Sequence, residues 1–317
     1  MRIGLVGAGT MAGVHAAAYR RMGAGLVGVF APNEKERVDF AERFGVEAYP
    51  SLEALLRAVE VVDVATPTDT HEPLALAALA AGRDVILEKP IAHELAAAKL
   101  ILEAVRETGR RLFVAMVVRF FPPYRRAAEL VQEGSLGRLG VVRMKRASFR
   151  PQVPWYLDPA RSGGLEVDLL IHDLDYVQWL LGAPSRVFAR RQGDYVQAVL
   201  GFKGGAMAFV EGGWAYPPGY FRTAFELAGE RGVIEWSSDA PRPLTALLPK
   251  GEGLPPRVGL PVEGLEEDPY ELELRHALSA LDAGTPFEVT PEEALAALKL
   301  ALLVRESAAG GGVLEVA

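Results

Sequence analysis

Arg2-Ile3-Gly4-Leu5-Val6-Gly7-Ala8-Gly9-Thr10-Met11-Ala12 stands at the head of this 317-residue chain and decides its fold. A short apolar run closes on Gly-x-Gly-x-x-Ala and passes straight into an Ala-rich amphipathic segment, Met11–Met22. Strand, tight turn and helix in that order are the opening of a dinucleotide-binding βαβ unit. Each small residue has a physical task there. Gly7 permits the turn, Gly9 lets a pyrophosphate approach the backbone, and Ala12 allows the helix to pack closely on the strand. Thr10 and Met11 fall in the first helical turn, whose unpaired N–H groups and partial positive charge attract phosphate. A glycine-rich turn without a ligand is the plainer alternative, and its placement between strand and helix weighs against it.

Outward from this turn, short strand-like runs alternate with amphipathic stretches. Leu26–Phe30, Val61–Ala65, Val85–Leu87 and Leu112–Val117 read as further strands. Glu34–Phe44, Ser51–Ala58, Glu72–Ala81 and Glu94–Thr108 read as helices. Such alternation predicts a parallel sheet covered on both faces, an α/β Rossmann domain over residues 1–120. Beyond Phe120 the rhythm changes. A helix opens at Pro122-Pro123, Arg138–Arg150 reads as a strand, and Gly164–Leu181 as one long amphipathic helix ending at Gly182-Ala183-Pro184. Strand-like runs follow from Ser185 to Trp236 without intervening helices, which predicts a mostly antiparallel open sheet. Residues 240–264, rich in proline and glycine, read as a loop, and helices over Pro269–Ala283 and Pro291–Ser307 precede a last short strand. Residues 121–317 are therefore expected to form a substrate-binding α+β domain.

Composition excludes several chemistries. The chain has no cysteine, which removes disulfides, thiolate metal sites and cysteine nucleophiles. Its five histidines, His15, His71, His93, His172 and His276, include no pair at zinc spacing, so no metal is expected. A formal net charge of −7 argues against nucleic-acid or anionic-membrane partners. Ile3–Tyr19 lacks charged residues and superficially resembles a secretory signal, but its glycines suit a ligand turn in a mature fold, and a cytoplasmic location is expected.

At the end of the second strand a dinucleotide site usually carries an acid for the adenosine ribose. Phe30-Ala31-Pro32-Asn33 has none before Glu34, no arginine replaces it, and Lys35 is the nearby cation. Cofactor choice is open between NAD and NADP, with the missing acid tilting it toward NADP or dual use.

Val64-Ala65-Thr66-Pro67-Thr68-Asp69-Thr70-His71 and Ala81-Gly82-Arg83-Asp84-Val85-Ile86-Leu87-Glu88-Lys89-Pro90 resemble the Gfo/Idh/MocA oxidoreductases, relatives of glucose–fructose oxidoreductase and inositol dehydrogenase. The resemblance continues through Arg119-Phe120, Trp155, Ser162-Gly163-Gly164 and Asp168-Leu169-Leu170-Ile171-His172-Asp173, the last similar to a D-x-G-x-H pattern. It implies a nicotinamide-dependent oxidoreductase of sugars, polyols or related compounds, with a second domain that often mediates homo-oligomers, here a dimer or tetramer. By position it implies catalytic roles for Lys89, Asp168 and His172. Two departures stand out: Leu170 replaces the common glycine, and Ala31 the acidic ribose contact.

The residues themselves support a mechanism. Asp168 and His172 lie four apart on the expected helix and share a face. A carboxylate beside an imidazole orients it and favours its protonated form, suiting a general base near neutral pH. Lys89 follows the fifth strand at its carboxyl end, where open α/β sheets bind ligands, and an ammonium group there stabilises a developing alkoxide. Thr66, Pro67 and Thr68 are expected at the nicotinamide ribose, with Asn33, His71 and Glu88 also lining the cofactor. Arg119, Trp155 and Tyr156 are candidates for the small-molecule substrate. Arg143, Lys145, Arg146 and Arg150 make a basic strand that reads as an exposed face, or as a binder of acidic substrates. Taken singly, Lys89 reads as a strand-end surface charge and His172 as a satisfied core histidine. The alternative reading of the whole is a catalytically silent nucleotide-binding regulator or a structural protein on the same fold.

Overall fold

Six parallel strands form where the apolar runs of the first third lie. They alternate with helices as β1 (Arg2–Val6), α1 (Thr10–Met22), β2 (Gly25–Phe30), α2 (Glu34–Phe44), β3 (Glu47–Ala48), α3 (Leu52–Ala58), β4 (Val61–Val64), α4 (His71–Ala80), β5 (Asp84–Glu88), α5 (Leu95–Thr108) and β6 (Leu112–Ala115). The sheet order is β3-β2-β1-β4-β5-β6. The order reverses between β1 and β4, and in such sheets the crevice at the strands' carboxyl ends there binds ligands. Strands buried on both faces must be apolar throughout, and β4 obeys except at Asp63, which is fully buried. Helix starts follow their capping residues: Asn33 accepts from the Glu36 N–H at 3.2 Å and Ser51 from the Ala54 N–H at 3.2 Å. Two details depart from the sequence reading. β3, of two residues, is too short to show periodicity, and β6 ends at Ala115, after which Val117–Phe120 winds into a 3₁₀ turn.

The computed structural model describes residues 1–239 and 267–316, so the loop read over 240–264 lies outside the described residues. The chain divides into two units, Met1–Phe120 with Glu266–Leu298, and Phe121–Leu265 with Lys299–Ala317. The second unit begins with α6 (Pro122–Gln132) and β7 (Leu139–Phe149), then three single turns, α7 (Pro154–Leu157), α8 (Pro159–Ser162) and α9 (Leu165–Asp168). α10 (Ile171–Leu181) leads into β8 (Arg186–Gln192), β9 (Tyr195–Gly201), β10 (Met207–Tyr216), β11 (Phe221–Gly229) and β12 (Gly232–Ser237). α11 (Pro269–Ala283), α12 (Pro291–Gly310) and β13 (Leu314–Glu315) close the chain. The seven strands run β12-β11-β7-β10-β9-β8-β13, antiparallel except for the β7–β10 pair. α11 returns to the first unit and packs on α1.

The Gly164–Leu181 stretch is not one helix either. It breaks into α9 and α10 at Leu169-Leu170, where the Leu170 N–H reaches back to the Leu165 carbonyl at 3.2 Å and the Asp173 N–H to Leu170 at 3.0 Å. A wide turn followed by a tight one replaces the regular i→i−4 ladder, so ideal helical spacing does not govern Asp168 and His172. No helix among the described residues is long and apolar enough to cross a membrane.

Candidate active site

The glycine turn is built for close approach. Gly7 has φ +116°, and a Cβ there would meet the Ala65 carbonyl oxygen at 2.2 Å. Glycine alone fits. Its N–H donates to the Phe30 carbonyl at 2.8 Å, tying the turn to the end of β2. Gly9 has a different reason to be small: it is exposed, and a Cβ there would meet nothing within 4 Å. That open cradle lies at the start of α1, which has no side-chain cap and no acidic residue in its first turn. The N–H groups of Thr10, Met11 and Ala12 have no intrahelical acceptors. A dinucleotide pyrophosphate fits this end: donors, a positive dipole and no repelling carboxylate. Ala12 is fully buried, packed with Leu5, Ala16 and Val29 as its small size allows.

At the adenosine end, the sequence reading of the local cation needs correction. Lys35 is exposed and ion-paired with Asp39 at 2.5 Å. The cation beside Ala31 is Arg37, buried, whose Nη1 donates to the Ala31 carbonyl at 2.7 Å. Arg37 lies one turn into α2, and side chains on a helix lean toward its N-terminus, which here points back at the end of β2. Asn33 spends its side-chain oxygen on capping α2.

The carboxyl ends of β4 and β5 carry the next group. Thr66 and Pro67 are half-buried and Thr68 buried, and the Thr70 hydroxyl lies 2.7 Å from both the Thr66 hydroxyl and the Pro67 carbonyl. His71 starts α4. It is buried, with Nδ1 2.8 Å from the Pro90 carbonyl and Nε2 3.1 Å from that of Thr66. Burial holds its pKa below the ordinary value against the pull of those carbonyls. Lys89 is half-buried directly after β5, and its own N–H donates to Glu88 Oε2 at 3.0 Å.

Behind Glu88 lies a buried set of ionisable groups that the sequence reading missed. His15 Nδ1 is 2.8 Å from Asp63 Oδ2, which also accepts from the Tyr19 hydroxyl at 2.7 Å. His15 Nε2 is 3.1 Å from Glu88 Oε1, an ion-pair separation too poorly aligned for a good hydrogen bond. Burial alone would lower the His15 pKa, but Asp63 and Glu88 outweigh it and raise it well above the ordinary value. Burial would raise Glu88, yet His15 and then Lys89 hold it below the carboxylate range. Glu273, reaching in from α11, is fully buried with neither oxygen hydrogen-bonded. Burial first, then Glu88 and Asp63, push its pKa well above the ordinary value, favouring the protonated form. The available signal was a polar residue inside an apolar run, Asp63 in β4 and His15 in α1. Nothing local pairs them.

Arg119 is almost fully buried. It donates to Glu293 Oε1 at 3.0 Å and to the Glu288 carbonyl at 3.3 Å.

In the second unit Asp168 ends α9, buried, and His172 lies in the first turn of α10, half-buried. The approach to α9 is set by Gly163 and Gly164, both left-handed. A Cβ on Gly163 would meet Val167 at 2.6 Å. Leu170 is accommodated by a glycine elsewhere: it is fully buried, and a Cβ on Gly212 of β10 would meet Leu170 Cδ2 at 2.6 Å. Asp173 is buried and paired with Arg146 at 2.6 and 3.2 Å; burial outweighs the arginine and raises its pKa. The remaining basic residues of β7 are also matched, Arg143 with Glu226 and Lys145 with Glu211 at 2.7 Å, as is Arg150 just beyond it, with Asp194 at 2.7 Å. Trp155 and Tyr156 are half-buried and stack on each other, centroids 3.8 Å apart. Among the described residues no group of three or more His, Asp or Glu is placed to hold a metal ion.

A Rossmann sheet with an open phosphate cradle, followed by an α+β unit carrying a buried aspartate and a histidine, defines the class of two-domain nicotinamide oxidoreductases. Residues 1–116 match the oxidoreductase family with NAD-binding Rossmann fold known as GFO_IDH_MocA, and residues 124–235 match the GFO/IDH/MocA C-terminal domain. Inositol 2-dehydrogenase of Rhizobium meliloti (strain 1021) is 29% identical over 319 residues, 95% of this chain and 94% of that protein. Inositol 2-dehydrogenase of Rubrobacter xylanophilus is 30% identical over 251 residues, 74% of this chain and 70% of that protein. The crystal structure of GenD2 from gentamicin A biosynthesis, in complex with NAD, is 28% identical and superposes with a TM-score of 0.88, covering 100% of this chain and 96% of that one. The chain belongs to the Gfo/Idh/MocA family, as an NAD(P)-dependent dehydrogenase or reductase of CH–OH groups.

Proposed function

We propose that the protein transfers hydride between a nicotinamide dinucleotide and a hydroxyl or carbonyl carbon of a polyol, sugar or related compound, with cyclic polyols the first class to test. One observation carries this reading. Gly7, Thr66-Pro67 and Lys89 issue from the carboxyl ends of three neighbouring parallel strands, β1, β4 and β5, which puts the phosphate cradle and an ammonium group on one edge of one sheet. The inositol dehydrogenases and the NAD complex of GenD2 support the substrate class and the cofactor.

Gly9 and the N–H groups of Thr10, Met11 and Ala12 hold the pyrophosphate; Ala31, Asn33 and Arg37 border the adenosine ribose; Thr66, Pro67, Thr68, His71 and Glu88 shape the nicotinamide side. The nicotinamide, when bound, supplies or accepts the hydride. Lys89 hydrogen-bonds the reacting oxygen and stabilises the negative charge that develops there. His172 takes the hydroxyl proton in oxidation and returns it in reduction, and Asp168 orients the imidazole. Trp155 and Tyr156 favour a substrate with an apolar ring face. With no carboxylate at position 31 and Arg37 close by, the enzyme accepts both NAD and NADP. It works in the cytoplasm as a homo-oligomer, a dimer or tetramer.

Reduced-nicotinamide absorbance, followed with both cofactors across a panel of inositols, sugars and sugar acids, tests the reading. Turnover of at least one compound is expected, and Lys89→Ala and His172→Ala each lower kcat by about 10²–10⁴. Cofactor binding without turnover of any compound favours a silent nucleotide-binding protein and ends this assignment.

A further inference from the structure

The backbone around Lys89 is fixed at both flanks by histidines. On one side, the Lys89 N–H donates to Glu88 Oε2 at 3.0 Å, and the other oxygen of that carboxylate lies 3.1 Å from His15 Nε2. On the other side, the carbonyl of Pro90 takes His71 Nδ1 at 2.8 Å. His15 is in turn fixed by Asp63, and Asp63 by Tyr19, in a chain with no solvent access. The chain joins α1, the helix that opens at the glycine turn, to β5, the strand that ends in Lys89.

We infer that His15 is a positioning residue for Lys89: clamped between Asp63 and Glu88, it fixes the Glu88 carboxylate and through it the placement of Lys89 against the phosphate-binding turn. This rests on the role given to Lys89 above. The geometry suits a protonated imidazole: its two ring nitrogens face the two carboxylates, Nδ1 bonded to Asp63 at 2.8 Å and Nε2 at ion-pair distance, 3.1 Å, from Glu88. A neutral amide in its place lacks the charge that holds Glu88. Glu273 lies fully buried beside this set with neither oxygen hydrogen-bonded, and burial with Glu88 and Asp63 nearby favours its protonated form. Loss of the imidazole leaves Glu88 free to turn, and the Lys89 N–H loses its fixed acceptor.

The test reads Lys89 without requiring turnover. Wild type, His15→Leu, His15→Gln and Glu88→Gln are acetylated briefly with an amine-reactive ester, and each of the chain's lysines is quantified by peptide mass spectrometry. NADH affinity is measured in parallel by fluorescence titration. Glu88→Gln and His15→Leu are expected to change Lys89 labelling about threefold or more relative to the other lysines, and to weaken NADH binding at least as much. His15→Gln, which keeps a donor toward Glu88, should lie nearer wild type. Should His15→Leu fail to fold, Glu88→Gln decides, because it keeps the shape and an acceptor oxygen while removing the ion pair. Unchanged Lys89 labelling in a folded Glu88→Gln protein overturns the inference, and so does a change shared by all lysines, which would mark general loosening. A wild-type enzyme that labels as expected yet turns over no substrate leaves this inference standing and removes the proposed function instead.

Discussion

Glu273→Gln gives a direct reading of the buried charge arrangement, through the slope of stability against pH. In the folded protein Glu273 keeps its proton well above the ordinary glutamate value of 4.5, chiefly because burial disfavours the charged form. Unfolded, it releases that proton above the ordinary value. Folding therefore takes up a proton, and stability falls as pH rises from about the unfolded pKa toward the folded one. The slope is about 1.4 kcal/mol per pH unit for one proton taken up on folding, between the unfolded and the folded pKa. Comparison with the amide variant isolates Glu273 from its neighbours. Glu88, whose pKa is lowered, contributes its full stabilisation above the ordinary glutamate value and loses it only as pH falls further. His15, whose pKa is raised, contributes fully below the ordinary histidine value of 6.5 and loses its effect as pH rises through the folded value. The amide of the variant binds no proton in either state, and any fixed cost of burying it shifts its curve without tilting it. Urea unfolding of both proteins from about pH 5 upward should give curves that separate as pH rises, wild type declining more steeply by up to about 1.4 kcal/mol per pH unit. Parallel curves would refute a protonated Glu273 and the charge balance built on it.

Two further outcomes follow from other parts of the molecule. Ala31→Asp should restore a carboxylate beside the adenosine ribose and lower NADP use relative to NAD at least about tenfold, equal to about 1.4 kcal/mol, read as the ratio of kcat/KM values; an unchanged ratio would place the ribose elsewhere. Asp173→Asn should cost the second unit about 3–5 kcal/mol in urea unfolding, because Arg146 keeps its buried charge without its carboxylate, whereas Arg146→Met with Asp173→Leu should recover most of that loss; a cost near zero in the single variant would show that the pair carries no stability.

Local sequence determined much of this protein. Over residues 1–120, apolar runs of strand length, amphipathic stretches of helix length and capping residues such as Asn33 and Ser51 mark most elements within a residue or two of where they form. The glycine turn was legible for the same reason: φ at Gly7 and space at Gly9 are demands on single positions. Residues whose role depends on distant partners were not. Arg37 reads as one more helical arginine until the start of α2 is brought against the end of β2. The break between α9 and α10 interrupts a stretch whose periodicity is uniformly helical, and Leu170 is seated there against Gly212 of another strand. Most of all, His15, Asp63, Glu88 and Glu273 come from a helix, two strands and a returning helix near the far end of the chain. Only the register of the parallel sheet and the packing of α11 on α1 bring them together, and only burial gives their charges the strength to fix one another.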